Sequence, residues 1–153
     1  MTGVRTDFLF QIDLAVTPPQ SLGATPAGER RIVTVTGGAF EGPRLKGKVV
    51  PNSGGDWIIA RPDGALQLDV RITLETDDGA PIYMRYEGIR AGDAAVLARL
   101  NRGEAVDPSE YYFRIAPRFE TGSEKYDWLN RILAVGLGDR RPTGPRYRVY
   151  EIL

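Results

Sequence analysis

The chain of 153 residues contains neither cysteine nor histidine. Without cysteine, disulfides, thiolate nucleophiles and thiolate metal ligands are excluded. Without histidine, Ser-His-Asp triads, histidine acid–base catalysis and the usual zinc sites are excluded as well. Any acid or base must be Asp, Glu, Tyr, Lys or Arg, and a metal would need an all-oxygen site. We expect no metal centre and no cofactor.

An excess of charge of either sign is also absent, since 20 basic residues balance 20 acidic ones. Proteins that bind nucleic acid usually carry a basic patch, because phosphate contacts supply most of their affinity. One arginine cluster occurs near the end of the chain, and we interpret it as a solvated turn and strand: Arg140, Arg141, Arg146 and Arg148. We therefore expect no nucleic-acid partner.

Long apolar runs are missing, and the longest apolar segment is far below the roughly 18 residues that span a membrane. The first seven residues, MTGVRTD, lack the charged region and apolar run of a secretory signal. The expectation is a cytoplasmic protein with no membrane partner.

Glycine and proline, by contrast, are frequent, and they separate short segments with strand character. The length predicts one domain over residues 1–153. Residues 20–28 read as a loop, Asp93 and Gly103 bound a short helix, and Ser123 is a candidate cap for one further helical turn. The pattern predicts an all-β, mainly antiparallel fold, a single small barrel with one or two short helices.

The strongest local signal is a three-strand meander over residues 56–61, 66–75 and 82–89. Asp-Gly turns join the strands, which is a typical hairpin signature. A two-residue first turn pairs Trp57 with Val70, whereas a three-residue turn pairs Trp57 with Asp69 and mixes the faces. Because the register follows the hydrophobic pattern, we prefer the two-residue turn. For the second turn we predict that Leu74 pairs with Ile82.

This register predicts a polar face on the meander, on which positive and negative charges nearly cancel. Its members are Asp56, Asp69, Arg71, Arg85 and Glu87. Three interpretations are open. The face contacts solvent with weak ion pairs, it lines a polar cavity, or it is buried between subunits.

Two segments suggest a family: residues 111–120, YYFRIAPRFE, and residues 126–130, YDWLN. Further matching pieces lie in order at residues 28–30, 37–38 with 42–43, 55–57, 69–71, 76–79 and 88. With these motifs the chain resembles domain-of-unknown-function family 3237, an uncharacterised protein family. The resemblance implies a calycin-like or allene-oxide-cyclase-like barrel, often oligomeric, with no settled activity. We therefore expect a homo-oligomer, a dimer or higher.

The candidate site follows from the polar residues within these motifs. The first hypothesis is a cofactor-free lyase, isomerase or hydrolase acting on a small oxygenated or carboxylate substrate. Asp69 or Glu120 is its acid or base, Tyr112 donates a proton, and Arg71 or Arg114 holds an oxyanion. The substrate-binding set is predicted to be Asp56, Trp57, Arg71, Arg114, Trp128 and Asn130.

Two alternatives remain open at this stage. One is a non-catalytic barrel that binds a small ligand in a mostly apolar pocket with one or two anchoring charges. The other is a structural or interaction protein, in which the polar face is buried between subunits. The fold alone cannot decide among the three.

Overall fold

The computed structural model describes residues 3–153. Met1 and Thr2 belong to the predicted domain of residues 1–153 and to the segment compared with a secretory signal, and they lie outside the described residues. The ten strands are β1 (Thr6–Val16), β2 (Gln20–Thr25), β3 (Gly28–Glu41), β4 (Lys46–Val49), β5 (Gly54–Ala60), β6 (Leu66–Thr76), β7 (Pro81–Ala91), β8 (Tyr112–Glu120), β9 (Ala134–Arg141) and β10 (Gly144–Ile152). One α-helix, α1 (Ala94–Asn101), follows β7. Two 3-10 helices, Pro108–Glu110 and Asp127–Arg131, flank β8.

The strands close into an antiparallel barrel with eight positions. The ring runs β1, β10, β9, β8, β7, β6, and returns to β1 through β3. Strands β4 and β5 share one position, because both pair with β3 on one side and β6 on the other. Strand β2 extends β3 as a hairpin. The predicted antiparallel barrel with one or two short helices is confirmed.

The barrel interior is filled with side chains that alternate along each strand. On β6 the inward residues Leu68, Val70, Ile72 and Leu74 are buried, while Arg71 between them is exposed. Aromatic rings pack across the interior, with the centroids of Tyr86 and Tyr147 5.3 Å apart in an edge-to-face arrangement. Such packing makes the interior a solid core rather than a wide pore.

Two local expectations are wrong and one is confirmed. Residues 20–28, expected as a loop, contain β2 and its hairpin turn onto β3. Ser123 does not cap the second 3-10 helix, which begins after Tyr126 and has no side-chain cap. Asp93 does cap α1, since its Oδ1 accepts from the Ala95 N–H at 2.8 Å. Within residues 3–153, no helix is long and apolar enough to cross a membrane.

Of the two strand registers predicted for the meander, the structure confirms one and contradicts the other. The β6–β7 register is confirmed, with Leu74 opposite Ile82. The preferred β5–β6 register is wrong by one residue, since Asp56 pairs with Val70. Arg61 N donates to Ala65 O across a three-residue turn, and Gly64 adopts a φ of +88° there. Glycine takes that left-handed conformation readily, which stabilises this longer turn.

Candidate functional site

The register shift changes which side chains of β5 face outward. Trp57 lies on the outer surface, 37% exposed, and Asp56 lies on the inner face beside Val70. Outside the barrel wall, strands β5 to β9 form a groove of about 570 Å³. This volume is within the usual range for small-molecule sites. We call it the outer groove, and its polar and aromatic lining comprises Arg30, Trp57, Gln67, Asp69, Glu87, Tyr112 and Arg114.

Two carboxylates occupy the middle of the outer groove. Asp69 on β6 and Glu87 on β7 are direct cross-strand partners on the outer face. Opposed side chains of this kind have Cβ atoms about 5 Å apart, and like charges in that position destabilise a sheet. Within residues 3–153, neither carboxylate has a Lys or Arg nitrogen within 4.0 Å. The pair therefore presents uncompensated acceptors to the groove.

Two arginines lie in the same lining. Arg30 on β3 donates from Nη1 to the Trp57 carbonyl at 3.0 Å, which holds its side chain against β5. Arg114 on β8 donates from Nη1 to the Phe113 carbonyl at 3.0 Å. Because a guanidinium has five N–H donors, each arginine keeps donors for an oxyanion after these bonds.

Aromatic and aliphatic side chains complete the groove. The Arg114 guanidinium carbon lies 5.0 Å from the centre of the Tyr112 ring, which is a cation–π contact between the two side chains. Tyr112 is 54% exposed, and Ile89 and Val135 are also exposed in this lining. Exposed apolar surface beside convergent polar groups is typical of a ligand site.

A second group of polar side chains lies behind the groove, inside the barrel. We call it the inner cluster, and it comprises Asp56, Tyr86, Arg90 and Tyr147. Asp56 connects the two groups, because its Oδ1 accepts from the backbone N–H of Asp69 at 3.0 Å. Strands β5 and β6 pair on both sides of this point, at Asp56–Val70 and at Ile59–Gln67. The Asp56 carboxyl thus takes the place of a backbone acceptor in the ladder.

Burial dominates the electrostatics of the inner cluster. It raises the pKa of Asp56 to about 7, and the Asp69 carboxylate adds to the shift. The hydrogen bond from the Asp69 N–H and the charge of Arg90 act in the opposite direction. Burial also raises the pKa of Tyr86 and of Tyr147 above the ordinary range, so both phenols stay protonated. The Asp56 carboxyl therefore changes its protonation state near neutral pH.

The predicted site residues divide into two sets. Asp69, Tyr112, Trp57 and Arg114 meet in the outer groove. Asp56, expected on the same surface, lies on the opposite face because of the shifted register.

Glu120 and Arg71 lie elsewhere on the outer surface. Glu120 pairs with Tyr83 near the end of β8, four residues beyond the Ala116 that faces Glu87. Glu120 is absent from the lining of the outer groove, so it does not share that groove with Asp69. Arg71 lies opposite Arg85, outside the groove lining.

Trp128 and Asn130 also lie away from the groove, in the second 3-10 helix. The Arg44 guanidinium carbon is 4.1 Å from the centre of the Trp128 ring. Asn130 accepts from Thr121 N at 2.8 Å and donates to Thr121 O at 2.9 Å, closing the loop after β8. Neither residue lines the outer groove, and these contacts are with other parts of the chain.

The predicted site set lacked three polar groove residues, Arg30, Gln67 and Glu87, and most of the inner cluster. Glu87 was placed on the polar face, and its cross-strand position opposite Asp69 follows from the confirmed β6–β7 register. Arg30 lies outside the meander, and only the β3–β5 pairing brings it to Trp57. Among residues 3–153, no group of three or more acidic side chains is arranged to hold a metal ion.

The fold and these two groups of polar residues define a closed antiparallel β-barrel with a small-molecule-sized groove on its wall. The chain belongs to the family described as a protein of unknown function, DUF3237, whose model matches residues 4–152. A UPF0311 protein of Rhodopseudomonas palustris is 39% identical over 150 residues, covering 98% of this chain and 97% of the relative.

Two further comparisons bear on the fold and the chemistry. A solved structure from Acinetobacter baumannii, described as a beta-barrel like protein, has a TM-score of 0.86 and 41% identity over 100% of this chain and 98% of that one. A protein of Penicillium herquei named hydroalkoxylation enzyme phnH is 30% identical over 136 residues, covering 88% of this chain and 74% of the relative.

Proposed function

We propose that the chain is a cofactor-free acid–base enzyme that acts on a small oxygenated substrate in the outer groove. The observation that carries this proposal is the opposed pair Asp69 and Glu87, beside the donors of Arg30 and Arg114. Two uncompensated carboxylates are unfavourable in a plain sheet surface. In a groove they supply proton acceptors, and the arginines supply stabilisation for a developing oxyanion.

The reaction class that fits best is addition of a hydroxyl group across a carbon–carbon double bond within one molecule. Asp69 takes the proton from the substrate hydroxyl, and Arg114 stabilises the developing negative oxygen. Tyr112 donates a proton to one alkene carbon as the oxygen bonds to the other, and the proton on Asp69 returns to the tyrosine oxygen through solvent. The product is an isomer of the substrate, so no redox partner is required. The name of the Penicillium relative supports this class.

The aromatic lining favours a flat, unsaturated substrate. Trp57 on β5 and Tyr112 on β8 belong to the strands that flank the carboxylate pair on β6 and β7, and Ile89 and Val135 add aliphatic surface. A phenol that carries an alkene side chain matches this combination of aromatic contact, acidic hydroxyl and double bond. The aromatic lining equally suits a non-catalytic binding site, which is the second candidate function.

The test uses 2-prenylphenol in deuterated buffer, followed by mass spectrometry and NMR. Turnover by this route gives a cyclic ether with one deuterium on carbon. We expect Asp69→Asn to reduce the rate by at least about 100-fold, as for loss of a general base. Glu120→Gln is the matched control and keeps the rate, since Glu120 lies outside the groove.

The two candidate functions give different results in this experiment. Saturable quenching of Trp57 fluorescence without any ether product supports the non-catalytic site. An undiminished rate in Asp69→Asn contradicts the assignment of the base.

A further inference from the structure

One end of the barrel holds three arginines on its inner face. At this end β7 and β9 finish and β3 begins. Arg31 lies on β3 in phase with the buried Val33, Arg90 on β7 in phase with the buried Tyr86, and Arg140 on β9 in phase with the inward Gly138. We call these three residues the arginine mouth. It is separated from the outer groove by the wall of β5 and β6.

Arg31 and Arg140 both lie close enough to Arg90 to affect it. Burial and the charge of Arg140 lower the pKa of Arg90, and Arg31 contributes in the same direction. The Tyr111 hydroxyl lies in the same place, since it accepts from the Arg140 backbone N–H at 2.9 Å. Because it accepts there, its own O–H remains able to donate. The mouth is thus a convergent set of donors.

Protein carboxylates compensate this positive charge only in part. Arg31 is paired with Glu29 at 3.1 Å. Within residues 3–153, neither Arg90 nor Arg140 has a carboxylate within 4.0 Å, and the buried Nε of Arg90 has no hydrogen-bond partner. A buried, unpaired donor on a cation is costly unless something accepts from it. Asp56 faces the same interior, but its pKa of about 7 leaves it partly neutral at physiological pH.

We propose that the arginine mouth binds a small oxyanion, a carboxylate or a phosphate. The guanidinium fork of Arg90 matches two oxygens of such a group, and Arg140 provides a second cation beside it. Tyr111 adds a neutral donor. This site is distinct from the outer groove, because it lies on the inner face at the end of the barrel and shares no side chain with the groove lining.

The test measures binding of inorganic phosphate and of benzoate by calorimetry, at constant ionic strength set with sodium chloride. We expect one of the two anions to bind the wild-type protein and to raise its melting temperature. Arg140→Gln should weaken that binding about tenfold, as for loss of one charged hydrogen bond. Preference for phosphate identifies a tetrahedral oxyanion, and preference for benzoate identifies a carboxylate.

Arg141→Gln is the matched control, because it removes the same charge from the adjacent residue. Arg141 is on the exposed face of β9 and pairs with Asp139 at 3.3 Å. The affinity of the Arg141→Gln variant for the anion should stay within about twofold of the wild-type value, as for a screened surface charge. Arg90→Lys keeps the charge but removes the fork, and it should weaken binding while circular dichroism shows an intact fold. The proposal is overturned if neither anion binds, or if Arg141→Gln loses as much affinity as Arg140→Gln.

Discussion

The Asp56 carboxyl accepts a hydrogen bond from the backbone N–H of Asp69 at 3.0 Å, and so links the barrel interior to the outer groove. Asp56 points inward from β5, whereas the Asp69 side chain points outward from β6. The proton state of one carboxyl therefore acts on the backbone that carries the other. This relationship makes Asp56 a positioning residue for the proposed base.

The first prediction concerns the stability cost of burying Asp56. The folded protein holds the Asp56 proton up to about pH 7, while the unfolded chain releases it near pH 4. The contribution of this group to the free energy of unfolding therefore falls as the pH rises from about 4 to 7, and stays low above that. Asp56→Asn keeps the acceptor oxygen but does not ionise. Urea unfolding should show it more stable than wild type by roughly 2–4 kcal/mol at pH 8, and little changed at pH 4.

Asp7→Asn is the control for this pH series, because Asp7 is exposed near the start of β1. Its difference from wild type should not grow between pH 4 and pH 8. A constant difference between Asp56→Asn and wild type across the series would contradict the raised pKa of Asp56.

Sequence patterns predicted the barrel, and four residues of the predicted site set line the outer groove: Trp57, Asp69, Tyr112 and Arg114. The alternation of Leu68, Val70 and Ile72 with polar residues identified the inner face of β6, and Asp77-Asp78-Gly79 set the β6–β7 register. Asp69 and Arg114 were recovered because their segments fit recognisable motifs. Local alternation and turn chemistry are properties of a short stretch of chain, so they are readable without the fold.

The features that the sequence did not predict depend on contacts between segments that are distant along the chain. The β5–β6 register was missed because Trp57 and Ile59 are apolar yet face the groove, so hydrophobicity alone pointed to the wrong face. Arg90 and Arg140 converge only after the barrel closes. Neither relationship leaves a periodic signal, since each arises from residues on different strands.

The second prediction tests the close packing beneath the groove at Gly88. A Cβ there would lie 2.7 Å from Ile115 Cγ2 and 2.8 Å from the Arg114 carbonyl oxygen, so β7 and β8 must separate. Gly88→Ala should lower the free energy of unfolding by about 1–3 kcal/mol, as for overpacking, and should weaken groove ligands by displacing Arg114. Gly37→Ala on β3, where a Cβ meets nothing within 4 Å, should do neither. Thermal unfolding and fluorescence titration measure both effects.

The third prediction separates structure from binding at Asn130. Its side chain bonds both the N–H and the carbonyl of Thr121. Asn130→Ala should therefore reduce stability by about 1–2 kcal/mol, through loss of hydrogen bonds to the loop after β8. Affinity for groove ligands should be unchanged below the melting transition. A loss of affinity without a loss of stability would support the substrate-binding role that the sequence predicted.

The fourth prediction concerns the conflict between stability and function at the carboxylate pair. Glu87→Gln removes one of two like charges that face each other across β6 and β7, so it should raise the free energy of unfolding by about 0.2–1 kcal/mol. The same change should reduce turnover in the outer groove, because an amide cannot hold or accept the proton in the way a carboxylate does. Glu75→Gln is the matched control on β6. Glu75 pairs with Lys48 at 3.6 Å, so its loss should give no gain in stability and no change in turnover. Chemical unfolding measures the change in stability, and the deuterium-incorporation assay measures turnover. If the pair is purely structural, Glu87→Gln will change the free energy of unfolding and leave turnover unchanged.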